Sequence, residues 1–81
     1  MIPNELQSLF IEELIRIAPD LEAGTVGADD HLQDDLDLDS MDIVALVAAL
    51  HKRLGTDIPE ADYGELATPR KAAAYLAARL A

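Results

Sequence analysis

The chain has no cysteine and no tryptophan, and its only aromatic side chains are two tyrosines and one phenylalanine. Without cysteine it has no disulfide, no thiolate ligand for zinc and no thiol nucleophile of its own. Its two histidines, His31 and His51, are too far apart in sequence to form a local zinc motif. We therefore expect no metal centre, and a core built from leucine, isoleucine, valine and alanine.

Basic residues are also scarce, since six Lys and Arg stand against sixteen Asp and Glu, a net charge of −10. This balance argues against nucleic acids and anionic membranes as partners, because both are bound through Lys and Arg. The longest apolar run, 43–50, is far short of the roughly 20 residues of a membrane span. The N-terminus has no basic stretch before an apolar one, as a secretory signal would. We expect one monomeric, cytoplasmic domain over residues 1–81.

Apolar residues recur at helical spacing in three long stretches and one short one, and no stretch alternates like a strand. Candidate N-caps precede the three long stretches: Asn4, Asp39 or Ser40, and Thr68. The sequence therefore predicts an all-α fold. We expect a small four-helix bundle with three main helices and one short one, at about residues 4–18, 40–54, 60–63 and 68–80.

Residues 19–39 form a long connection between the first two helices, and loops of this length are uncommon in compact domains. Apolar residues are spread along it: Leu21, Val26, Leu32, Leu36 and Leu38. We expect them to anchor an ordered loop with a single helical turn near 32–36. Its aspartates are crowded enough that we also expect raised pKa values: Asp29, Asp30, Asp34, Asp35 and Asp37.

Aspartates surround Ser40 in the segment 34–42, and two interpretations of this segment fail on spacing. A calcium-binding loop that begins at Asp35 needs glycine at its sixth position and glutamate at its twelfth, where this chain has Ser40 and Leu46. A serine hydrolase needs a Gly-x-Ser-x-Gly turn or a Ser/His/Asp set, and neither is recognisable around Ser40. We therefore expect no catalytic residue.

Two further interpretations of the segment remain. In the first, Asp39 and Ser40 only cap a helix, and the other aspartates are a solvated surface. In the second, another protein attaches a phosphate-bearing group to Ser40, because a helix N-terminus favours an anion. An apolar stripe next to Ser40 that should face solvent favours the second: Met41, Val44, Ala45 and Ala48. The residues by themselves leave both interpretations open.

Residues 36–42, Leu-Asp-Leu-Asp-Ser-Met-Asp, resemble the Asp-Ser-Leu motif of acyl carrier proteins. The Leu-rich loop, the Thr-Asp-Ile-Pro-Glu segment 56–60 and the Thr-capped stretch 68–76 are also similar to this family, so the resemblance covers most of the chain. The chain departs from the family pattern in having Met41 for leucine, Asp37 for glycine, and a second helix that ends neutral and then basic.

The resemblance implies a freestanding carrier that is not a catalyst. In this family a phosphopantetheinyl transferase, with Mg²⁺ and coenzyme A, attaches 4′-phosphopantetheine to the motif serine, which is Ser40 in this chain. The thiol of that arm holds an acyl group as a thioester, and this chain has no cysteine to supply a thiol itself. The resemblance further implies acyl-loading or acyl-transfer enzymes with basic docking surfaces as partners, contacted through Asp39, Met41, Asp42, Val44 and Ala48.

The pathway stays open, because the resemblance fits fatty-acid synthesis, polyketide synthesis or a dedicated acyl pathway. One alternative is an aminoacyl or peptidyl carrier that serves a discrete ligase. Another, from a different class, is an unmodified acidic helical adaptor that docks a basic partner.

Overall fold

A computed structural model describes residues 1–80 and contains three α helices: α1 (Pro3–Ile17), α2 (Ser40–Leu54) and α3 (Pro69–Leu80). Two 3₁₀ helices lie between them, Ala23–Thr25 and Glu60–Leu66, and the longer one is called the 3₁₀ helix below. No strand occurs within residues 1–80, and no helix there is long and apolar enough to cross a membrane. The all-α prediction is confirmed. Residue 81 of the expected domain lies outside the described residues.

The first helix begins at Pro3, so the predicted cap at Asn4 is wrong. Proline is well suited to a first turn, because its φ is preset and it lacks an N–H that would find no partner there. The N–H of Ile2 donates to Glu5 Oε1 at 3.3 Å, which is one half of a capping box. The helix buries one apolar face, formed by Leu6, Leu9, Phe10 and Leu14.

The core lies where α1 packs against both α2 and α3. From α2 it receives Leu46 and Leu50, whose side chains are completely buried. Ile43 and Val47, which lie on the same face of α2 as these two leucines, are only half-buried. The reason is that each borders an open cavity beside α2.

One carboxylate lies on the buried face of α1. Glu13 is 4% exposed, with Arg16 Nη1 at 3.7 Å from its Oε1 and Arg53 Nη1 at 3.8 Å from its Oε2. The Oε2 atom has no hydrogen-bond donor within residues 1–80. Glu13 was not predicted to be buried, although it follows the buried Leu9 by four positions, the spacing of a shared helix face.

The long loop is ordered, as predicted, with a turn over 32–36. Two backbone hydrogen bonds fasten it to the start of α3. The N–H of Leu32 donates to the carbonyl of Ala67, and the N–H of Arg70 donates to the carbonyl of Ala28, both at 2.9 Å. The loop also reaches the core through three buried side chains, Val26, Leu32 and Leu38.

The predicted rise in carboxylate pKa values is wrong for Asp29. The guanidinium of Arg70 donates two hydrogen bonds to this carboxylate, at 2.8 and 3.2 Å. The hydrogen bond, with the positive charge beside it, holds the pKa of Asp29 below its ordinary value. Periodicity could not show this pair, because its members are 41 positions apart in the chain.

The short fourth helix, predicted over 60–63, runs on to Leu66 and packs against α3. Asp62 ties it there, since the hydroxyl of Tyr75 donates to Asp62 Oδ2 at 2.7 Å and Arg79 Nη1 lies 3.8 Å from the same oxygen. Partial burial and this hydrogen bond raise the pKa of Tyr75. The 3₁₀ helix is therefore held on the α3 side of the bundle.

The predicted N-caps at Asp39, before α2, and at Thr68, before α3, are confirmed. Gly55 ends α2 with φ 69°, in the left-handed region that favours glycine. Thr68 precedes α3 and accepts a hydrogen bond on Oγ1 from the N–H of Lys71 at 3.1 Å.

Candidate functional site

Ser40 is the first residue of α2, and its side chain is exposed. Asp39 is the N-cap, and its Oδ1 accepts a hydrogen bond from the N–H of Asp42 at 2.9 Å. In return Asp42 Oδ2 accepts from the N–H of Asp39 at 3.2 Å. Because this capping box satisfies two N–H groups at the helix start, it fixes the backbone on either side of the serine.

The backbone enters this helix start through Asp37, whose φ is +59°. This region favours glycine, and aspartate is one of the few other residues that tolerate it. The next residue, Leu38, is buried, and its N–H donates to the carbonyl of Leu32 at 3.0 Å. Asp37, which stands where the family pattern has glycine, thus keeps a glycine-like conformation that was not predicted from the sequence.

A cleft of about 690 Å³ opens beside Ser40, between the loop, α2 and the 3₁₀ helix. It exists because the 3₁₀ helix packs on α3 and leaves a seam beside α2. Its apolar walls are formed by Leu32, Ile43, Val44, Leu66 and Ala67. Four polar side chains also line it: His31, Gln33, Glu60 and Tyr63. The exposed hydroxyl thus stands next to a partly sheltered, largely apolar space.

The apolar stripe that follows Ser40 along α2 is exposed, as predicted. Met41 is 73% exposed and Val44 is 50% exposed, and Ala45 and Ala48 are exposed as well. A contiguous patch of exposed apolar side chains often marks a surface that binds another molecule. This stripe is called the outer stripe below. Val44 belongs both to the outer stripe and to the wall of the cleft.

The two carboxylates next to Ser40 lie in different surroundings. Asp39 is exposed, whereas Asp42 is half-buried and borders a separate hollow with Ile17 and Pro19 at the end of α1. Along a helix, Asp42 is turned by about 100° from Met41. The residues predicted to bind partners therefore do not all share one surface.

Charge changes sign along α2. The first turn carries Asp42 and the last carries His51, Lys52 and Arg53, which suits the helix macrodipole. Arg53 is turned toward α1, where its Nη2 lies 3.4 Å from Glu12 Oε2. Lys52 is exposed and makes no ion pair with a carboxylate of residues 1–80. The outer stripe therefore ends in positive charge.

Comparison with known proteins matches a family model described as "Phosphopantetheine attachment site" to residues 6–76. An acyl carrier protein of Streptomyces coelicolor is 40% identical over 78 residues, which are 96% of this chain and 80% of that protein. One of Campylobacter hominis is 32% identical over 90% of this chain and 86% of that protein. Among solved structures, acyl carrier protein from Enterococcus faecalis has a TM-score of 0.74 at 26% identity, covering 98% of this chain and 99% of that one.

These matches confirm the family resemblance seen in the sequence, and with it 4′-phosphopantetheine as the prosthetic group. The described residues fit the group, because an exposed hydroxyl at a helix start borders a cleft with apolar walls. Members of the family are carriers and in general not catalysts. Since the family model and the relatives each span most of the chain and the fold agrees, the chain belongs to the acyl carrier protein family.

Proposed function

We propose that Ser40 bears the 4′-phosphopantetheine arm and that this chain, as one carrier domain over residues 1–81, presents acyl thioesters to partner enzymes. The observation that carries this proposal is the position of Ser40, exposed at the start of α2 and on the rim of the cleft. The only other serine, Ser8, lies within α1, away from any helix start.

Attachment is a phosphoryl transfer to Ser40. Its Oγ forms a bond to the phosphorus atom of coenzyme A that bears the pantetheine. The bond from this phosphorus to the bridging oxygen of the pyrophosphate breaks, and adenosine 3′,5′-bisphosphate leaves. The hydroxyl proton passes to a base of the phosphopantetheinyl transferase, which acts with Mg²⁺. The N-terminus of α2 favours the negative charge of the resulting phosphodiester.

Once attached, the group supplies the thiol that holds an acyl group, which no side chain of this cysteine-free chain can do. The cleft beside Ser40 supports a second role, the sheltering of the cargo. An apolar chain gains about 0.8 kcal/mol for each methylene that it buries. Ile43 and Val44 line the cleft on the α2 side, next to the attachment point, and can provide such a surface.

The exposed stripe of α2 is the proposed contact surface for partner enzymes. Met41, Val44 and Ala48 provide its apolar part, and methionine adapts readily to different partner shapes. Asp39, Asp42 and the net charge of −10 attract basic docking surfaces and speed association. We propose that the phosphopantetheinyl transferase and the acyl-loading or acyl-transfer enzymes share this surface, in the cytoplasm, with the carrier as a monomer.

We propose that this carrier serves a dedicated acyl pathway with its own loading enzyme. Fatty-acid synthesis and polyketide synthesis are the alternative pathways. The positive end of the stripe supports a dedicated pathway, because a partner that covers both Ala48 and Lys52 needs an acidic group opposite the lysine. The second candidate is an aminoacyl or peptidyl carrier. Glu60 on the rim of the cleft favours it, because its carboxylate would pair with the ammonium group of an aminoacyl cargo.

Thiol titration tests the carrier function with little background, because the chain has no cysteine. The purified protein should react with no equivalent of a thiol reagent. After incubation with coenzyme A, Mg²⁺ and a broad-specificity phosphopantetheinyl transferase, followed by gel filtration, it should react with one. If no thiol appears although a known carrier is modified under the same conditions, the unmodified acidic adaptor becomes the better account. A screen of acyl-loading enzymes and aminoacyl ligases then separates the two kinds of carrier.

A further inference from the structure

A second cavity lies beside α2, further from Ser40 than the cleft and closer to the C-terminal end of the helix. Its volume is about 540 Å³, and its apolar walls are Val44, Val47, Ala48, Ile58 and Pro59. Its polar residues are His51 and Asp57, which contact each other with His51 Nδ1 at 2.8 Å from Asp57 Oδ1. A helix rises 1.5 Å per residue, so the two cavities together follow α2 for about 16 Å, from Ser40 to His51.

Two residues line both cavities, Val44 on α2 and Tyr63 on the 3₁₀ helix. They face each other across the seam, and the cavities lie on either side of them. Tyr63 is half-buried and by far the larger of the two side chains. The partition between the cavities is therefore made chiefly by the ring of Tyr63.

The backbone that carries this ring is fixed from the α3 side. The preceding residue, Asp62, accepts the hydrogen bond of Tyr75 at 2.7 Å and lies 3.8 Å from Arg79 Nη1. The carbonyl of Gly64, the following residue, accepts from Lys71 Nζ at 3.4 Å. The 3₁₀ helix is thus tethered to α3 on both sides of Tyr63, and the ring is kept in the seam.

We propose that Tyr63 sets the length of cargo that the carrier shelters, an inference that rests on the proposed attachment at Ser40. The thioester is carried at the end of the arm, and an acyl chain that the arm folds back into the cleft beside Ser40 meets the tyrosine ring at the far end of that cleft. Short acyl chains end before the ring, and their whole length lies against the apolar walls of the cleft. In long unbranched chains, the ring blocks the way from the cleft into the second cavity, so the distal methylenes remain in solvent. Val47 and Ile58 offer apolar surface in that second cavity, but the chain does not reach it. The cargo class that fits this protein is therefore the short acyl group.

The test uses the protein loaded from a series of saturated acyl-coenzyme A thioesters, from butyryl to palmitoyl, with loading verified by intact mass. The melting temperature of each acylated form is compared with that of the unacylated holo form of the same variant. In the original protein the gain should rise by roughly 3–6 °C for each sheltered methylene and then level off at a short chain length. In Tyr63→Ala the gain should continue for several more methylenes.

Two control variants separate the ring from other effects. Tyr63→Phe keeps the ring and should level off where the original protein does. Ile11→Ala truncates a half-buried apolar side chain of α1 that lines neither cavity, so it should lower the melting temperature of all forms without moving the levelling point. Should Tyr63→Ala fail to fold, Tyr63→Leu makes a smaller opening, for which a smaller extension is expected.

The outcomes distinguish this inference from the proposed function. A levelling point that stays the same in Tyr63→Ala, or an original protein whose gain never levels off, overturns the role of Tyr63. No gain at any chain length, with loading verified by mass, also overturns it while leaving the carrier function intact. Failure of loading itself contradicts the attachment at Ser40, and the inference falls with it.

Discussion

Asp39 and Asp42 exchange hydrogen bonds across the first turn of α2, at 2.9 Å from the N–H of Asp42 and at 3.2 Å from the N–H of Asp39. Ser40 lies between them and keeps its hydroxyl exposed. The helix start is therefore stabilised by the neighbours of the serine, and the serine itself remains available for modification. We therefore expect that Ser40 can be substituted without loss of the fold.

Of the two hydrogen bonds in this capping box, the one accepted by Asp39 is the shorter. Asp39→Ala removes the acceptor for the N–H of Asp42 and should lower the free energy of unfolding by about 1 kcal/mol. Asp39→Ser retains a capping oxygen and should cost only a few tenths of a kcal/mol. Urea unfolding followed by circular dichroism measures both. Equal losses in the two variants would mean that the charge of Asp39, and not its hydrogen bond, stabilises α2.

The left-handed backbone at Asp37 predicts a stabilising substitution. Asp37→Gly should raise the free energy of unfolding by about 0.5–1 kcal/mol, because glycine adopts a φ of +59° without steric cost. Asp37→Asn removes the same charge and keeps a side chain, so it controls for relief of charge repulsion. Thermal and urea unfolding compare the three proteins. A gain in Asp37→Asn as large as in Asp37→Gly would assign the effect to charge and contradict the conformational explanation.

The Asp29–Arg70 pair predicts a specific acid dependence. The pKa of Asp29 in the folded state is lowered, so the pair contributes stability above the ordinary pKa near 3.8 and loses it as the pH falls through the lower folded value. Arg70→Gln should therefore melt below the original protein at neutral pH, and the difference should shrink under strongly acidic conditions. Melting curves across this pH range check the prediction. In an Asp29→Asn background the arginine substitution should have a smaller effect, and an undiminished effect would show that Arg70 acts elsewhere.

The outer stripe predicts variants that fold normally but dock poorly. Met41→Ala should weaken the complex with the phosphopantetheinyl transferase several-fold while changing the free energy of unfolding by less than about 1 kcal/mol, because the side chain is 73% exposed. Leu46→Ala is the contrasting variant, since it empties a completely buried position and should cost about 2–5 kcal/mol. The KM for modification and the urea midpoint report the two effects. A Met41→Ala protein with unchanged KM would remove this residue from the docking surface.

Local signals made the start of α2 predictable from the sequence. Asp39 precedes an apolar period and Gly55 follows it, and both act within one helical turn of the residues they affect. The exposed stripe followed from the same period. The cap at Asn4 was mispredicted because Pro3, one residue earlier, is itself suited to the first position of a helix, and α1 begins there. The position of Ser40 at a helix start could therefore be predicted, because the residues that begin and end α2 lie next to this helix in the sequence.

The cleft could not be predicted in the same way, because it depends on contacts between distant parts of the chain. Its width is set by the 3₁₀ helix, which is tied to α3 through Asp62 and Tyr75, thirteen positions apart. Helical periodicity carries no information on such pairs, as the Asp29–Arg70 contact also shows. The shape of the cleft and the place of Tyr63 within it emerge only from the packed structure.

Mass spectrometry tests most directly whether Ser40 is the attachment site. The original protein, Ser8→Ala and Ser40→Ala are each incubated with coenzyme A, Mg²⁺ and a broad-specificity phosphopantetheinyl transferase, and then digested and fragmented. We expect one phosphopantetheine group on Ser40 in the first two proteins. Ser40→Ala should carry none, and its circular dichroism should remain that of the folded protein. A modified Ser40→Ala protein, or a group found on Ser8, would rule out Ser40 as the sole attachment site.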